Sequence, residues 1–311
     1  MDFSMYAGFT QKIRNDGMEE AAKYARRLKF SSVEVIADFY FDSVNAIPTV
    51  EAAGEAKKVL DQYGLPVACY SVGINLWNRT DSEQILMEQI DIAHALGSPY
   101  LHHTLLPWLT LDENSPEPSG AIMHVVEIAS RVADYAKTKG MCCIYEDQGY
   151  YVNGVGGYQF FYDEMKKRCE NIGVCGDLGN ILFVNEKPEA FLRAFANEIK
   201  HVHVKDYLWK CGAVSPGRYW MKAKGDSWLR DTMVGSGVID FAACMQILKD
   251  AGYSGRFALE NVHPEPYEEG VRQAMELVER LYAPERSGVR IGRQGECHVR
   301  GTRTWEGNEI C

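Results

Sequence analysis

The sequence predicts an α/β chain folded as a closed (β/α)8 barrel, and three observations carry that expectation. Short apolar runs rich in Val, Ile, Tyr and Cys alternate with longer segments of helical period from one end of the chain almost to the other. Eight such pairs span about 280 residues, the size of a closed barrel. The first run is not followed by the GxGxxG turn that an open, doubly wound dinucleotide-binding sheet would show.

In chain order the expected strands are FSMYAGF (3–9), SVEVIA (32–37), PVACYSV (66–72), YLHHTL (100–105), CCIYED (142–147), IGVCGD (172–177), KHVHVK (200–205) and GRFALE (255–260). The expected helices cover 18–29, 49–63, 82–96, 120–139, 157–170, 188–197, 240–251 and 267–282. Asp81 and Ser82 supply a start signal for the third helix, Pro188 for the sixth and Asp240 for the seventh; Gly64, Gly97, Gly140 and Gly252 close four of them. Between the seventh strand and the seventh helix lies a long loop, 207–238, with three Trp and five Gly, placed to overhang one end of the barrel as a lid or substrate wall. The barrel is expected to form one catalytic domain over 1–283. A polar C-terminal extension, 284–311, is expected to dock on the barrel or on another subunit.

Composition narrows the function. The chain has 311 residues, 46% hydrophobic and 24% charged, enough for one large core, and its net charge of −10 repels nucleic acid and anionic lipid. No window approaches the ~18 continuous apolar residues of a membrane span, and the N-terminus lacks a signal-peptide pattern. Nine cysteines, odd in number and without a CxxC pair, fit a reduced cytoplasm.

The chemistry concentrates at strand ends. Glu146, Asp177, His203 and Glu260 close the last four runs in the order Glu, Asp, His, Glu. If those strands are parallel neighbours, three carboxylates and one imidazole meet at one face, a set suited to a hard or borderline divalent ion: Mn²⁺ first, with Co²⁺, Mg²⁺ and Zn²⁺ as alternatives. Singly, each is as well explained as a helix cap, a salt bridge or a strand residue; the joint pattern is what points to metal. The period of two puts His201, His203 and Lys205 on one face, with His203 nearer the open end and His201 deeper in the barrel. Lys205 is placed to reach substrate oxygen or to pair with Asp206. Of the adjacent His102 and His103 only one can face inward, and His103 is preferred as the nearer to the strand end. His263, three residues past Glu260, is a further candidate for proton transfer. Glu34 reads as a polar layer residue inside the barrel. Trp108, Trp209, Tyr219, Trp220 and Trp228 are placed to stack on a sugar ring or an aromatic aglycone, or simply to pack the loop. His94, His124 and His298 receive no role.

The motifs IYED, CGDLGN, HVHVKD and ALEN, in this order and spacing, resemble the xylose-isomerase-like TIM barrel superfamily, including its sugar-phosphate isomerase/epimerase group, over about residues 3–283. The resemblance implies that Glu146, Asp177, His203 and Glu260 are metal ligands and that Glu146 and Glu260 also move protons. Ketose 3-epimerases of the group carry a second Glu six residues after the first metal Glu, a His three after the Asp and an Arg six after the His. This chain has Val152, Asn180 and Trp209 there. The endonuclease branch needs a His where Asn180 stands. The extension, the aromatic loop and the lost sugar-binding groups suit the catalytic α subunits of C-glycoside deglycosidases, which work with a small second subunit. The implied function is a divalent-metal-dependent enzyme that removes the proton alpha to the carbonyl of an oxo-sugar. As a lyase it would cleave 3-oxo-C-glucosides by β-elimination. The alternatives are a sugar isomerase/epimerase and an inactive barrel scaffold. The expected partners are a small sugar or glycoside and either a small second subunit or further copies of the chain.

Overall fold

The computed structural model describes residues 1–40, 45–107, 109–110, 112, 114–260 and 267–283. Its strands are β1 (Phe3–Met5), β2 (Ser32–Asp38), β3 (Val67–Gly73), β4 (Tyr100–His103), β5 (Cys142–Tyr145), β6 (Ile172–Asp177), β7 (Ile199–Val204), β8 (Tyr207–Cys211), β9 (Met221–Lys222), β10 (Ser227–Asp231) and β11 (Phe257–Leu259). Its helices are α1 (Phe9–Asp16), α2 (Met18–Arg27), α3 (Val50–Gln62), α4 (Ser82–Ala95), α5 (Pro118–Thr138), α6 (Gly154–Lys166), α7 (Pro188–Phe195), α8 (Phe241–Asp250) and α9 (Tyr267–Tyr282). Eight strands close into a barrel in the order β1-β11-β7-β6-β5-β4-β3-β2, every pair parallel.

Parallel strands wrapped by helices are buried on both faces, which is why these runs are almost continuously apolar: all seven residues of β3 and all six of β6 are buried. The helices follow from ordinary end signals. The Thr49 hydroxyl accepts the N–H of Ala52 at 3.1 Å, and the Asp240 carboxylate accepts that of Ala243 at 3.0 Å. On α5 the buried stripe is rich in small residues, Ala121, Ala129, Ala133 and Ala136 among them, and the helix lies along the sheet on that stripe.

Two elements differ from the sequence expectation. The first strand stops at Met5 rather than at residue 9, because Gly8 takes a left-handed conformation (φ 78°) and opens α1, whose Phe9, Thr10 and Ile13 are buried. Segment 207–238 is not a plain loop: β8, β10 and β9 form a three-stranded antiparallel sheet standing off the barrel mouth. The expected extension, 284–311, lies outside the described residues. No helix among the described residues is long and apolar enough to cross a membrane.

Both ends of the lid are fastened to one buried side chain. The Asp206 carboxylate accepts backbone N–H groups from Tyr207 (2.9 Å), Gly235 (3.0 Å) and Gly237 (2.8 Å), and its own carbonyl accepts that of Thr232 at 3.1 Å. A Cβ at position 237 would collide with Asp206 Oδ1 and the Tyr207 carbonyl. Gly237→Ala is therefore expected to detach the second end of the lid and to lower stability by about 1–3 kcal/mol. Thermal unfolding and limited proteolysis across 207–238 are the measurements; wild-type resistance to both would refute the clamp.

Candidate metal site

Strand register brings the candidate ligands to one height. Asp177 on β6 and Ala258 on β11 are both direct partners of His203 on β7, and Glu260 follows Ala258 by two residues on the same face. β5 and β11 end at Tyr145 and Leu259, so Glu146 and Glu260 are the first residues beyond their strands, at the C-terminal mouth where barrel sites are built.

His203 is the centre. Its Nδ1 lies 3.1 Å from Glu146 Oε2, 3.2 Å from Glu260 Oε2 and 3.8 Å from Asp177 Oδ2. One atom from each of the four residues lies within 4.8 Å of all the others. Asp177, His203 and Glu146 are buried, and the Glu260 side chain, 27% exposed, forms the open rim. Each group is held from behind. The second His203 nitrogen, Nε2, is 3.1 Å from Glu34 Oε1, Glu34 Oε2 is 2.7 Å from His201 Nε2, and the Ser71 hydroxyl donates to Glu34 Oε1 at 2.5 Å. The Tyr6 ring stacks on the His203 imidazole with centroids 5.0 Å apart. Asp177 Oδ1 accepts the N–H groups of Gly179 and Asn180, both at 2.7 Å, which turns Oδ2 toward the centre. Gln148 donates to Glu146 Oε1 at 2.6 Å.

Lys205 closes one side. Its Nζ lies 2.9 Å from Asp177 Oδ2 and 2.8 Å from Glu260 Oε1, and it donates to Asn180 Oδ1 at 3.1 Å. Burial would lower the Lys205 pKa, but Asp177 and Glu260 hold it well above the usual ammonium range. The same opposition works on its partners. Burial pushes Asp177 up to about 7 against the pull of Lys205. For Glu260, burial is outweighed by Lys205 and His203, which hold its carboxyl well below the ordinary range. Burial would also lower His203, but Cys175, Glu34 and Glu146 keep the imidazole well above its ordinary value. Glu34, despite burial, is held low by His203 and His201.

The donor set fits a divalent ion on its own geometry. Asp177 Oδ2 and Glu260 Oε2 are buried without a hydrogen-bond partner, the Lys205 contact to Asp177 being an ion pair without hydrogen-bond alignment. Both oxygens face the one imidazole nitrogen that no outer partner occupies. Three carboxylates gathered around the single ammonium of Lys205, with two of their oxygens lacking hydrogen-bond partners, leave a place that a divalent cation would fill, and an imidazole whose far nitrogen is fixed by a carboxylate is the usual arrangement of a ligating histidine. Glu34→Gln should accordingly weaken divalent-metal affinity by about 10- to 100-fold without removing any donor atom; calorimetric titration reads this, and unchanged affinity would free His203 from dependence on Glu34.

The structure gathers Glu146, Asp177, His203, Glu260 and Lys205 at one point, and it reverses one preference. His103 faces the helices: its ring packs edge-on to Tyr145 at 5.1 Å and its Nδ1 lies 3.1 Å from the Thr104 carbonyl. The inward residue is His102, with Nδ1 3.0 Å from Ser71 Oγ and Nε2 3.6 Å from Glu146 Oε1. Nearness to the strand end was the wrong criterion; the phase of the two-residue alternation decides, and it runs through Tyr100 and His102. Lys205 does not pair with Asp206, which points to the opposite face and clamps the lid. Of the lid aromatics, Trp209 packs against the core and so fastens the lid to the barrel, Trp228 donates to the Gly212 carbonyl at 2.7 Å and so fastens the lid to itself, and Tyr219 is 72% exposed. His263 and Trp108 lie outside the described residues. Sequence reasoning missed Asp147, a buried acid whose two oxygens have no partner; burial, Asp177 and Glu146 push its pKa well up. Its only signal was the second acid of IYED. Beside Glu260 an open cavity of about 400 Å³ is lined by Tyr6, Gly8, Gln11, Ile36 and Asp38.

A closed parallel barrel with three carboxylates and an imidazole gathered at its C-terminal mouth defines a class of barrels with a cluster that could hold a cation. Within that class the chain belongs to the xylose isomerase-like TIM barrel family, whose pattern matches residues 22–281. Solved structures agree in fold. D-psicose 3-epimerase with D-tagatose from Clostridium cellulolyticum H10 superposes with a TM-score of 0.69 at 15% identity, covering 91% of this chain and 99% of that one. A xylose isomerase-like TIM barrel protein from Mycobacterium smegmatis in complex with magnesium gives 0.67 at 16% identity, covering 90% and 96%. The 3-keto-D-glucoside 4-epimerase from E. coli gives 0.65 at 16% identity, covering 89% and 99%. At these identities the likeness speaks for the fold alone. No curated protein matches the sequence.

Proposed function

We propose that this protein is a divalent-metal-dependent enzyme that removes the proton alpha to the carbonyl of an oxo-sugar, with Glu146, Asp177, His203 and Glu260 as the metal ligands. The observation that carries this is the convergence of those four groups on one point, with an open cavity beside the most exposed of them. Those four residues would hold the ion, Mn²⁺ by the hardness of three carboxylates and one imidazole, and it would supply Lewis-acid polarisation of the sugar carbonyl. The chain's own residues do the rest. Glu260 sits at the mouth beside the open cavity and is the carboxylate a substrate meets first, which places it to accept the carbon-bound proton. Glu146, whose Oε2 meets the same His203 nitrogen and whose Oε1 accepts from Gln148, is the second carboxylate placed to take part in proton transfer. Lys205 presents an ammonium to a substrate oxygen from the same wall. His263 remains a candidate acid for a leaving group, because it follows Glu260 by three residues.

For the outcome we assign first β-elimination, in which a 3-oxo-C-glucoside loses the proton at C2 and then the aglycone from C1, as in a C-glycoside deglycosidase catalytic subunit. Its support is what stands at the three positions where ketose 3-epimerases carry sugar-binding groups. Val152 is buried, Asn180 is engaged by Lys205, and Trp209 packs against the core. None offers a charged group to the hydroxyls of a free ketose. The second reading, epimerisation or isomerisation, draws support from the epimerases that share the fold, one of them acting on a 3-keto-D-glucoside. Incubation of the Mn²⁺-loaded protein in D₂O with a 3-oxo-C-glucoside and with a panel of ketoses separates these readings. Released aglycone supports elimination, and deuterium at a carbon alpha to the carbonyl with an inverted or shifted product supports epimerisation or isomerisation. Bound metal with no exchange into any substrate would overturn the enzymatic reading.

A further inference from the structure

The carboxylate quartet is not the only donor set on the inner wall of the barrel. Two residues before Asp177 on β6, and so on the same inward face, stands Cys175, a free and fully buried thiol. Its sulfur, a Glu146 oxygen and a His203 nitrogen lie within 4.8 Å of one another. Cys69 and Ile144 pack against it, while Glu34 and His201 stand in register with Cys69 and Cys175 on the neighbouring strands.

A second feature points to a ligand. His102 is buried, and its Nε2, 3.6 Å from Glu146 Oε1, has no hydrogen-bond partner. Its state follows from its neighbours. The Ser71 hydroxyl gives its proton to Glu34, so the Ser71 oxygen can only accept, and the His102 proton belongs on Nδ1. Nε2 is thereby left as an uncommitted lone pair bordering the same carboxylate that Cys175 borders.

We propose that the protein holds a second, thiolate-containing site for thiophilic divalent ions such as Zn²⁺ and Cd²⁺, formed by Cys175 Sγ, Glu146 and His203 one layer below the quartet. His102 Nε2, 3.6 Å from Glu146 Oε1, is a further donor bordering the shared carboxylate. On binding, the Cys175 S–H bond breaks, its proton leaves to solvent and the metal–sulfur bond forms, with no change of oxidation state. A sulfur donor selects softer ions, whereas three carboxylates and an imidazole suit harder ones. Because the two sites share Glu146 and His203, only one can be filled at a time. A thiophilic ion would thus draw two ligands away from the mouth and displace the ion of the proposed reaction. This last consequence rests on the proposed function; the lower site stands on its own geometry.

Cadmium alone is the probe. Titration of the metal-free protein with Cd²⁺ is expected to raise the ultraviolet thiolate-to-cadmium charge-transfer band, with one equivalent of the signal lost in both Cys175→Ser and Cys175→Ala and retained in Cys69→Ser. Mn²⁺ affinity, read by the loss of its free-ion paramagnetic signal, should stay within a few-fold of wild type in the Cys175 variants. In the wild type, one equivalent of Cd²⁺ should release bound Mn²⁺. A band unchanged in both folded Cys175 variants, or Cd²⁺ and Mn²⁺ bound together, would overturn the proposal. Failure of the wild type to bind Mn²⁺ while the Cys175-dependent cadmium band persists would instead sink the quartet assignment and leave the lower site standing.

Discussion

His203→Ala is expected to abolish divalent-metal binding and turnover together, the largest functional loss of any single substitution in this chain. Three carboxylates would remain, but the nitrogen from which their nearest oxygens are 3.1, 3.2 and 3.8 Å distant would be gone. Removing an outer partner of a ligand already weakens binding about 10- to 100-fold, and removing the ligand itself exceeds that. The variant also strips Glu34 of one of its two imidazoles, leaving a buried carboxylate on His201 and Ser71 alone. Breaking such a buried pair destabilises by about 3–5 kcal/mol, so the measurement must be made on protein shown to be folded by circular dichroism. Glu146→Gln supplies the control, since it removes a charged ligand without touching Glu34. Elemental analysis and calorimetry on both variants decide the matter: full metal stoichiometry in folded His203→Ala would remove His203 from the ligand set.

The reason so much of this site was legible in the sequence is geometric. In a parallel barrel every strand runs the same way, so a polar residue at the end of an apolar run is at the mouth, and four of them in consecutive strands must be neighbours there. The barrel thus converts a one-dimensional pattern into a three-dimensional cluster with no further information. What the sequence does not carry is rotation about each strand. Whether His102 or His103 faces inward depends on the phase of one four-residue strand, and the adjacent pair offers both phases equally. Glu34 shows the complementary limit. Its inward face could be read from SVEVIA, but that its carboxylate holds both His201 and His203 is a contact between strands two and seven, 167 and 169 residues apart. The lid sheet was missed because its strands are short and separated by glycine-containing connections, and its alternation serves a small independent sheet rather than the barrel. The helix α1 was missed because a single glycine in left-handed conformation separates it from β1, and an apolar run reads the same on either side of such a residue.

Lys205→Met is expected to have the largest effect on the stability of the metal-free protein, and to have it in a way that metal reverses. The ammonium is buried between Asp177 and Glu260, and the stem of the side chain fills space that methionine can occupy. Deleting the charge leaves two buried carboxylates facing each other and costs about 3–5 kcal/mol, the usual penalty for orphaning one side of a buried pair. The pH dependence fixes the sign. Glu260, held low in the wild type chiefly by Lys205 against burial, contributes stability that is complete above its ordinary value of 4.5 and is lost as pH falls through its depressed value. That contribution shrinks in the variant, so its acid-side loss is shallower. Asp177, raised by burial to about 7 even with Lys205 present, contributes stability below its ordinary value of 3.8 that is lost as pH rises toward 7. Without Lys205 the Asp177 pKa climbs further, and the metal-free variant should be least stable on the alkaline side of neutrality, where both acids are forced to ionise. A divalent ion replaces the missing positive charge and binds only the folded state, so saturating Mn²⁺ should return most of the lost stability, by the mass-action term that any native-state ligand supplies. Chemical denaturation of wild type and variant, with and without Mn²⁺ at two pH values, reads all of this at once. A variant as stable as wild type without metal, or equally destabilised with it, would show that Lys205 does not hold the site's charge in place of the ion.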